Sequence, residues 1–221
     1  MTTLLYRWPP AAKFGRSVPK MKFYEHSAAS AALREKFVAE VQRITWAYKL
    51  SEATINLPGG PDVIEIQVFE VESKGVDVSE LVLSTIDKAV RTPIIFEIAA
   101  GEGADRRIRM TAAHKQIGPG TPKIGVYYAT GWQSVDVPRA PLPTAITLPS
   151  LYTALLAPLT PVLARPGEGV SDVAARLEAV RKLEREIASL ERKLRTEPQL
   201  NRKVELRRTL KTKQAELEQQ R

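Results

Sequence analysis

The stretch VIEIQVFEVESKGVDVSELVLSTIDKAVRTPIIFEIA, residues 63–99, decides the fold. Its first part, 63–73, reads as a strand. Ile64, Ile66 and Val68 alternate with Glu65 and Gln67, and the apolar phase then moves to Phe69 and Val71. Such a change of phase calls for a bulge or for burial on both faces. Residues 79–90 place Leu83, Ile86 and Val90 at helical spacing, and 92–99 hold the unbroken run Ile94-Ile95-Phe96 of a central strand. A helix between two strands makes an α+β unit.

Toward the C-terminus, turns at Gly101–Asp105 and Gly118-Pro119-Gly120 separate strands predicted at 107–116 and 123–133, the latter with Tyr127, Tyr128 and Trp132. Short turns between these strands imply an antiparallel meander. Toward the N-terminus, Leu33, Phe37, Val41, Ile44 and Tyr48 step by three and four behind a capping Ser30, so the spacing predicts a helix over 29–50. A short strand is expected at 54–57, followed by the turn Pro58-Gly59-Gly60-Pro61. Residues 1–29 form a basic arm in which Lys13, Arg16, Lys20 and Lys22 are interleaved with Phe14, Phe23 and Tyr24. Cations hold phosphates and aromatics stack on bases, although such rings also pack on their own domain. Pro138, Pro141, Pro143 and Pro149 mark a connector before a short helix at 150–156.

From residue 171 onward the chain is made of helix formers. Leu177, Ile187, Leu190 and Leu194 lie on a narrow apolar seam, Pro198 breaks it, and Val204, Leu210 and Leu217 supply a second. Two seams with a break between them read as an antiparallel hairpin. The expected architecture is therefore α+β: a mostly antiparallel sheet with flanking helices over 1–165, then a coiled-coil-like helical hairpin over 166–221.

Of a formal charge of +8 on 221 residues, +5 falls in 171–221, which holds fourteen Lys or Arg against nine Asp or Glu. The densest cluster is Arg202, Lys203, Arg207, Arg208 and Lys211, the expected contact for nucleic acid or an acidic partner. The bland alternative is a solvated face balanced by Glu184, Glu186 and Glu191 of the first arm. With no cysteine there is no disulfide, thiolate-bound zinc or thiol nucleophile, and His26 and His114 alone make a histidine-rich metal site improbable. No metal or cofactor is expected. The N-terminus lacks a secretory pattern and no stretch reaches the ~20 apolar residues of a membrane span, so a cytoplasmic, membrane-free setting is the default.

One pattern suggests catalysis. Pro61-Asp62 followed by Glu72-Ser73-Lys74 spells the PD…(D/E)xK signature of metal-dependent nucleases, in which carboxylates hold the ion and lysine steadies the attacking water. On one continuous strand, however, Asp62 and Glu72 would lie ~33 Å apart. Glu72 and Lys74 are thus weak catalytic candidates. No phosphate-binding GxxxxGK[ST], GxGxxG or GxSxG motif occurs.

Several segments together carry a resemblance. They are Ile44–Leu50 with Thr54–Leu57, Ile86–Ala89 leading into Pro93–Glu97, Arg165-Pro166-Gly167-Glu168, and Asn201–Leu206. Over nearly its whole length the chain resembles the prokaryotic family catalogued as domain of unknown function 4391. The resemblance brings no established activity or catalytic residues. It implies neighbours among helicases and DNA methyltransferases of restriction or phage-defence gene clusters, hence a helicase or methyltransferase as protein partner. The expected function is a non-catalytic accessory or adaptor subunit of a nucleic-acid-processing assembly that docks through the hairpin. Self-association through the hairpin and direct nucleic-acid binding are the alternatives, and a metal-dependent nuclease is the third.

Overall fold

The computed structural model describes residues 4–23, 30–117, 120–160, 165, 168 and 170–221. The chain divides into two units, 1–160 and 161–221. Tyr24, His26, Gly118, Pro119, Pro166 and Gly167, all used in the sequence reading, lie outside the described residues.

The first unit runs β1 (Lys13–Ser17), α1 (Ala31–Glu40), β2 (Val41–Ser51), α2 (Glu52–Ile55), β3 (Glu65–Ser73), α3 (Glu80–Ala89), β4 (Ile94–Ala100), β5 (Arg107–Gln116), β6 (Lys123–Ala129), β7 (Gln133–Ser134) and α4 (Leu148–Leu156). One sheet follows chain order from β1 to β6, with β7 beside β5. Its pairings are antiparallel except β3–β4, which is parallel and bridged by α3.

The phase change in 63–73 reflects burial on both faces. Phe69 and Val71 join Phe37 of α1, Val82, Leu83 and Ile86 of α3, and Phe96 and Ile98 of β4 in one core. Ile66 and Val68 are buried on the opposite face. That second face is covered by α4, whose Tyr152 hydroxyl donates to the Ala113 carbonyl at 2.7 Å. An N-terminal strap also covers it. Tyr6 bridges Ala140 in parallel, and Leu5, Tyr6 and Trp8 are buried.

The helix expected over 29–50 ends at Glu40, and the rest is β2. Two register shifts against β3, at Val41/Arg43 and Trp46/Tyr48, break the strand's alternation. As a result Val41, Ile44, Ala47 and Leu50 are buried at intervals of three, which imitates a helical stripe. The β-branched and aromatic residues Ile44, Thr45, Trp46 and Tyr48 favour the extended form. The strand expected at 54–57 is instead the turn α2, in which Ser51 and Thr54 cap each other and Asn56 closes in the left-handed region at φ 54°. The strand expected at 123–133 stops at Ala129 and resumes as the short β7.

The position of α3 is held by one buried side chain. Lys115 of β5 donates to the carbonyls of Asp87, Val90 and Thr92 at 2.7–2.8 Å and pairs with the Asp87 carboxylate. The Tyr127 hydroxyl of β6 donates to the other Asp87 oxygen at 2.7 Å. A cation here meets the negative end of the helix and its last unsatisfied carbonyls. Burial pushes the Asp87 carboxyl up and the Lys115 ammonium down, and each charge opposes the other's shift.

The second unit comprises α5 (Val170–Thr196) and α6 (Leu200–Gln220), which pack on each other. No helix among the described residues is long and apolar enough to cross a membrane.

Lys115→Met is expected to cost about 3–5 kcal/mol in urea unfolding, because it strands a buried carboxylate. Lys115→Met with Asp87→Leu should recover only part of this, since the three carbonyls and the Tyr127 hydroxyl stay without their partners. A single variant within 1 kcal/mol of wild type, on the order of one ordinary hydrogen bond, would contradict this role.

Candidate functional site

The carboxyl ends of the parallel pair carry a cleft of about 250 Å³ on the second face of the sheet. Alternation along β3 sends Glu70 and Glu72 to that face, and Glu97 of β4 stands directly beside Glu70 in the parallel register. Glu97 is 2% exposed and fully engaged. Arg139 donates to both its oxygens, at 2.7 and 2.9 Å, and the Trp8 indole N–H adds a bond of 2.7 Å. Glu72 receives Arg43 of β2 at 2.8 Å and Arg106 at 3.2 Å, both on Oε1. Glu70 has no hydrogen bond or ion pair among the described residues. Partial burial, then the charge of Glu97, hold its carboxyl above the usual range. Carboxyl ends of parallel strands are where α/β sheets bind ligands.

The structure does not assemble the nuclease signature. β3 begins at Glu65, three residues past Asp62, and runs unbroken to Ser73. From Glu65 to Glu72 alone the rise is ~23 Å. Lys74 lies beyond the strand's end, where alternation no longer applies, and donates to the Val38 carbonyl of α1 at 2.7 Å. Among the described residues no group of three or more His, Asp or Glu is arranged to hold a metal ion.

In the hairpin, Leu177 is buried, and Ile187, Leu190 and Leu194 are half-buried along α5. On α6 the inward positions are Leu206, Leu210, Lys213 and Leu217, a seven-residue pattern. Val204, expected in the seam, is 57% exposed and lies outside it. Arg176 closes the open end: it grips Glu168 through two bonds of 2.6 and 2.7 Å and donates to the Gln220 carbonyl at 2.9 Å. That grip holds the Glu168 carboxyl down to about 2. Arg165 adds a bond to the Gln219 carbonyl at 2.5 Å.

The predicted cations Arg202, Arg207, Arg208 and Lys211 are exposed, and Lys203 is half-buried. Among the described residues none of the five forms an ion pair. Of the three carboxylates expected to balance them, Glu184 pairs with Arg221 and Glu186 with Lys213, each at 3.3 Å, while Glu191 is exposed and forms no ion pair among the described residues. On the basic arm, Phe14 lies 4.3 Å from Trp46, with the Arg16 guanidinium 4.7 Å over the Phe14 ring. These rings pack on β2, as aromatics of an arm commonly do.

His114, one of the chain's two histidines, is 3% exposed, and neither ring nitrogen has a hydrogen-bond partner among the described residues. Its ring faces Tyr152 edge-on at 6.2 Å. Burial lowers its pKa to about 4. It is a neutral core residue.

Fold and site together define a mixed α/β protein with one largely antiparallel sheet, an acid–base cleft on that sheet, and a basic helical hairpin. The family model described as "Domain of unknown function (DUF4391)" matches residues 7–217, and the chain belongs to that family. Comparison with curated proteins and with solved structures finds no match. Two of the residues that carry the resemblance, Arg165 and Glu168, form the closure of the hairpin.

His114 sets an acid limit on stability. A buried histidine whose folded pKa lies below its unfolded value of 6.5 favours the native state fully above that value. As pH falls from 6.5 to about 4, its contribution of about 3 kcal/mol is lost, because the unfolded chain takes up the proton first. Urea midpoints measured at pH 7.5 and pH 5 should fall for wild type and fall less for His114→Leu. An equal fall in both would assign the loss to carboxylates.

Proposed function

We propose that this protein is a non-catalytic accessory subunit of a nucleic-acid-processing assembly, docking through its C-terminal hairpin onto an acidic surface of a larger enzyme. The observation that supports this reading is the set Arg202, Lys203, Arg207, Arg208 and Lys211. It stands on one helix with no carboxylate partner among the described residues, and Glu184 and Glu186 of the first arm pair with other cations. A polyvalent acidic surface supplies what these side chains lack. The unassembled nuclease signature accords with a non-catalytic role.

Direct nucleic-acid binding is the second reading, because the same cations suit phosphates equally well. The two readings part under nuclease treatment. The full chain, purified from its native host at low salt, should bring down a helicase or methyltransferase that survives nuclease digestion of the sample. Reversing Arg207, Arg208 and Lys211 to Glu should release it. A partner retained by the reversed chain overturns the docking role, and one lost on digestion transfers the role to nucleic acid. In the latter case, log affinity for a labelled duplex should fall linearly with log salt. The slope should be shallower by about two for Arg207→Ala with Arg208→Ala.

A further inference from the structure

The cleft on the sheet has a charge division that the docking role does not use. At its mouth Arg106, which lines the cleft, and Arg43 of β2, beside it, share one carboxylate oxygen of Glu72. Each carries five N–H donors and commits one here, so the mouth keeps an excess positive charge and a surplus of donors. The floor is the reverse. Glu97, 2% exposed, is saturated by Arg139 and Trp8, and Glu70 beside it, which is exposed, has no donor among the described residues. Glu70 lies two residues from Glu72 on the same strand face, ~6.6 Å away by strand rise. Between mouth and floor the wall is apolar, formed by Ala99, Ile108 and Val135.

A ligand that complements this arrangement carries an anion at one end and a hydrogen-bond donor some 6–7 Å away, on the order of two strand residues. A divalent cation does not fit, because Glu97 is saturated, one oxygen of Glu72 is held by two arginines, and those guanidinium charges stand beside the remaining carboxylate oxygens. Inorganic phosphate would answer the mouth and leave Glu70 unmet. A neutral sugar would do the opposite. We propose that the cleft binds the 5′-phosphorylated ribose of a nucleotide, with the phosphate bridging Arg43 and Arg106 and the ribose hydroxyls donating to Glu70. Planar guanidinium forks suit a phosphate's oxygens, and a carboxylate suits a ribose diol. The same chemistry occurs in a free nucleotide and at the 5′ end of a nucleic-acid strand.

The test is calorimetric titration of the full chain with AMP, adenosine, inorganic phosphate, and a tetranucleotide with and without its 5′-phosphate. AMP should bind, with adenosine and phosphate each weaker by at least about tenfold. Arg43→Ala and Arg106→Ala should each weaken AMP at least about tenfold. Glu70→Ala should bring AMP down to the level of inorganic phosphate. All three residues are exposed, with the Arg43 and Arg106 side chains at 60% and 43%, and the arginine pairs are surface pairs, so thermal melts should confirm intact folding of each variant. A tetranucleotide bound only when 5′-phosphorylated, and at least as tightly as AMP, identifies a strand end. Binding of AMP alone identifies a free nucleotide. Comparing the two tetranucleotides cancels any contribution of the hairpin cations. No binding of AMP, equal binding of AMP and adenosine, or a Glu70→Ala chain that binds AMP like wild type overturns the proposal.

Discussion

A single ammonium group holds the first unit in register. Lys115 reaches from β5 to the last turn of α3 and takes three main-chain carbonyls and one carboxylate at a fully buried point. A helix that crosses between parallel strands can slide along the sheet unless something fixes its end, and apolar packing does this poorly because it is not directional. The hydrogen bonds to Lys115 are directional and lie where leaving them unmade is most costly. With α3 fixed over β5 and β6, β3 and β4 must lie parallel at its two ends. Their carboxyl ends then come side by side, and Glu70 meets Glu97. The cleft is thus a consequence of how α3 is anchored on the opposite face of the sheet.

The sequence showed this architecture where local pattern and burial agree. The span 63–99 reads correctly because α3 has one apolar face and β4 is buried on both sides. The closing pair of arms reads correctly because Pro198 divides two seams of similar period. It misled in β2, where two bulges turn a two-residue alternation into buried positions three apart. Spacing alone does not distinguish that from a helix, since the bulges are set by pairing with β3; only the β-branched and aromatic content of 44–48 leans the other way. Residues 54–57 failed for a related reason. The capping exchange between Ser51 and Thr54 is a three-residue signal, too short to outweigh Ile55 and Leu57 in an apolar pattern.

The cleft was less legible than the fold. Glu70 and Glu97 are twenty-seven positions apart and meet only through the register of a parallel pair. Arg139 and Trp8 come from the two ends of the first unit. A trace was nonetheless present: Glu97 is the one charged residue in the run Ile94–Ala100, and an ionised group in a central strand requires a partner. The nuclease signature drew attention to Glu72 for a different reason. It is on the face that carries the cleft, but Asp62 and Lys74 lie outside the strand, because the first precedes it and the second follows it.

Two groups of cations contrast. In the first unit Arg43, Arg106, Arg109, Lys115 and Arg139 all end on carboxylates. On α6 the five cations from 202 to 211 do not, and their spacing makes matters worse for the isolated chain. Lys203 with Arg207, Arg207 with Lys211, and Arg208 with Lys211 sit three or four residues apart, where like charges destabilise a helix by about 0.2–0.5 kcal/mol per pair. The seam beneath them and the Arg176 closure offset that repulsion without relieving it. An opposing array of negative charge would relieve all three pairs together. Attraction of this kind weakens as salt screens exposed charges, whereas the buried pairs of the first unit are largely indifferent to salt. The hairpin is therefore the part of the molecule whose energy changes most when an acidic surface approaches.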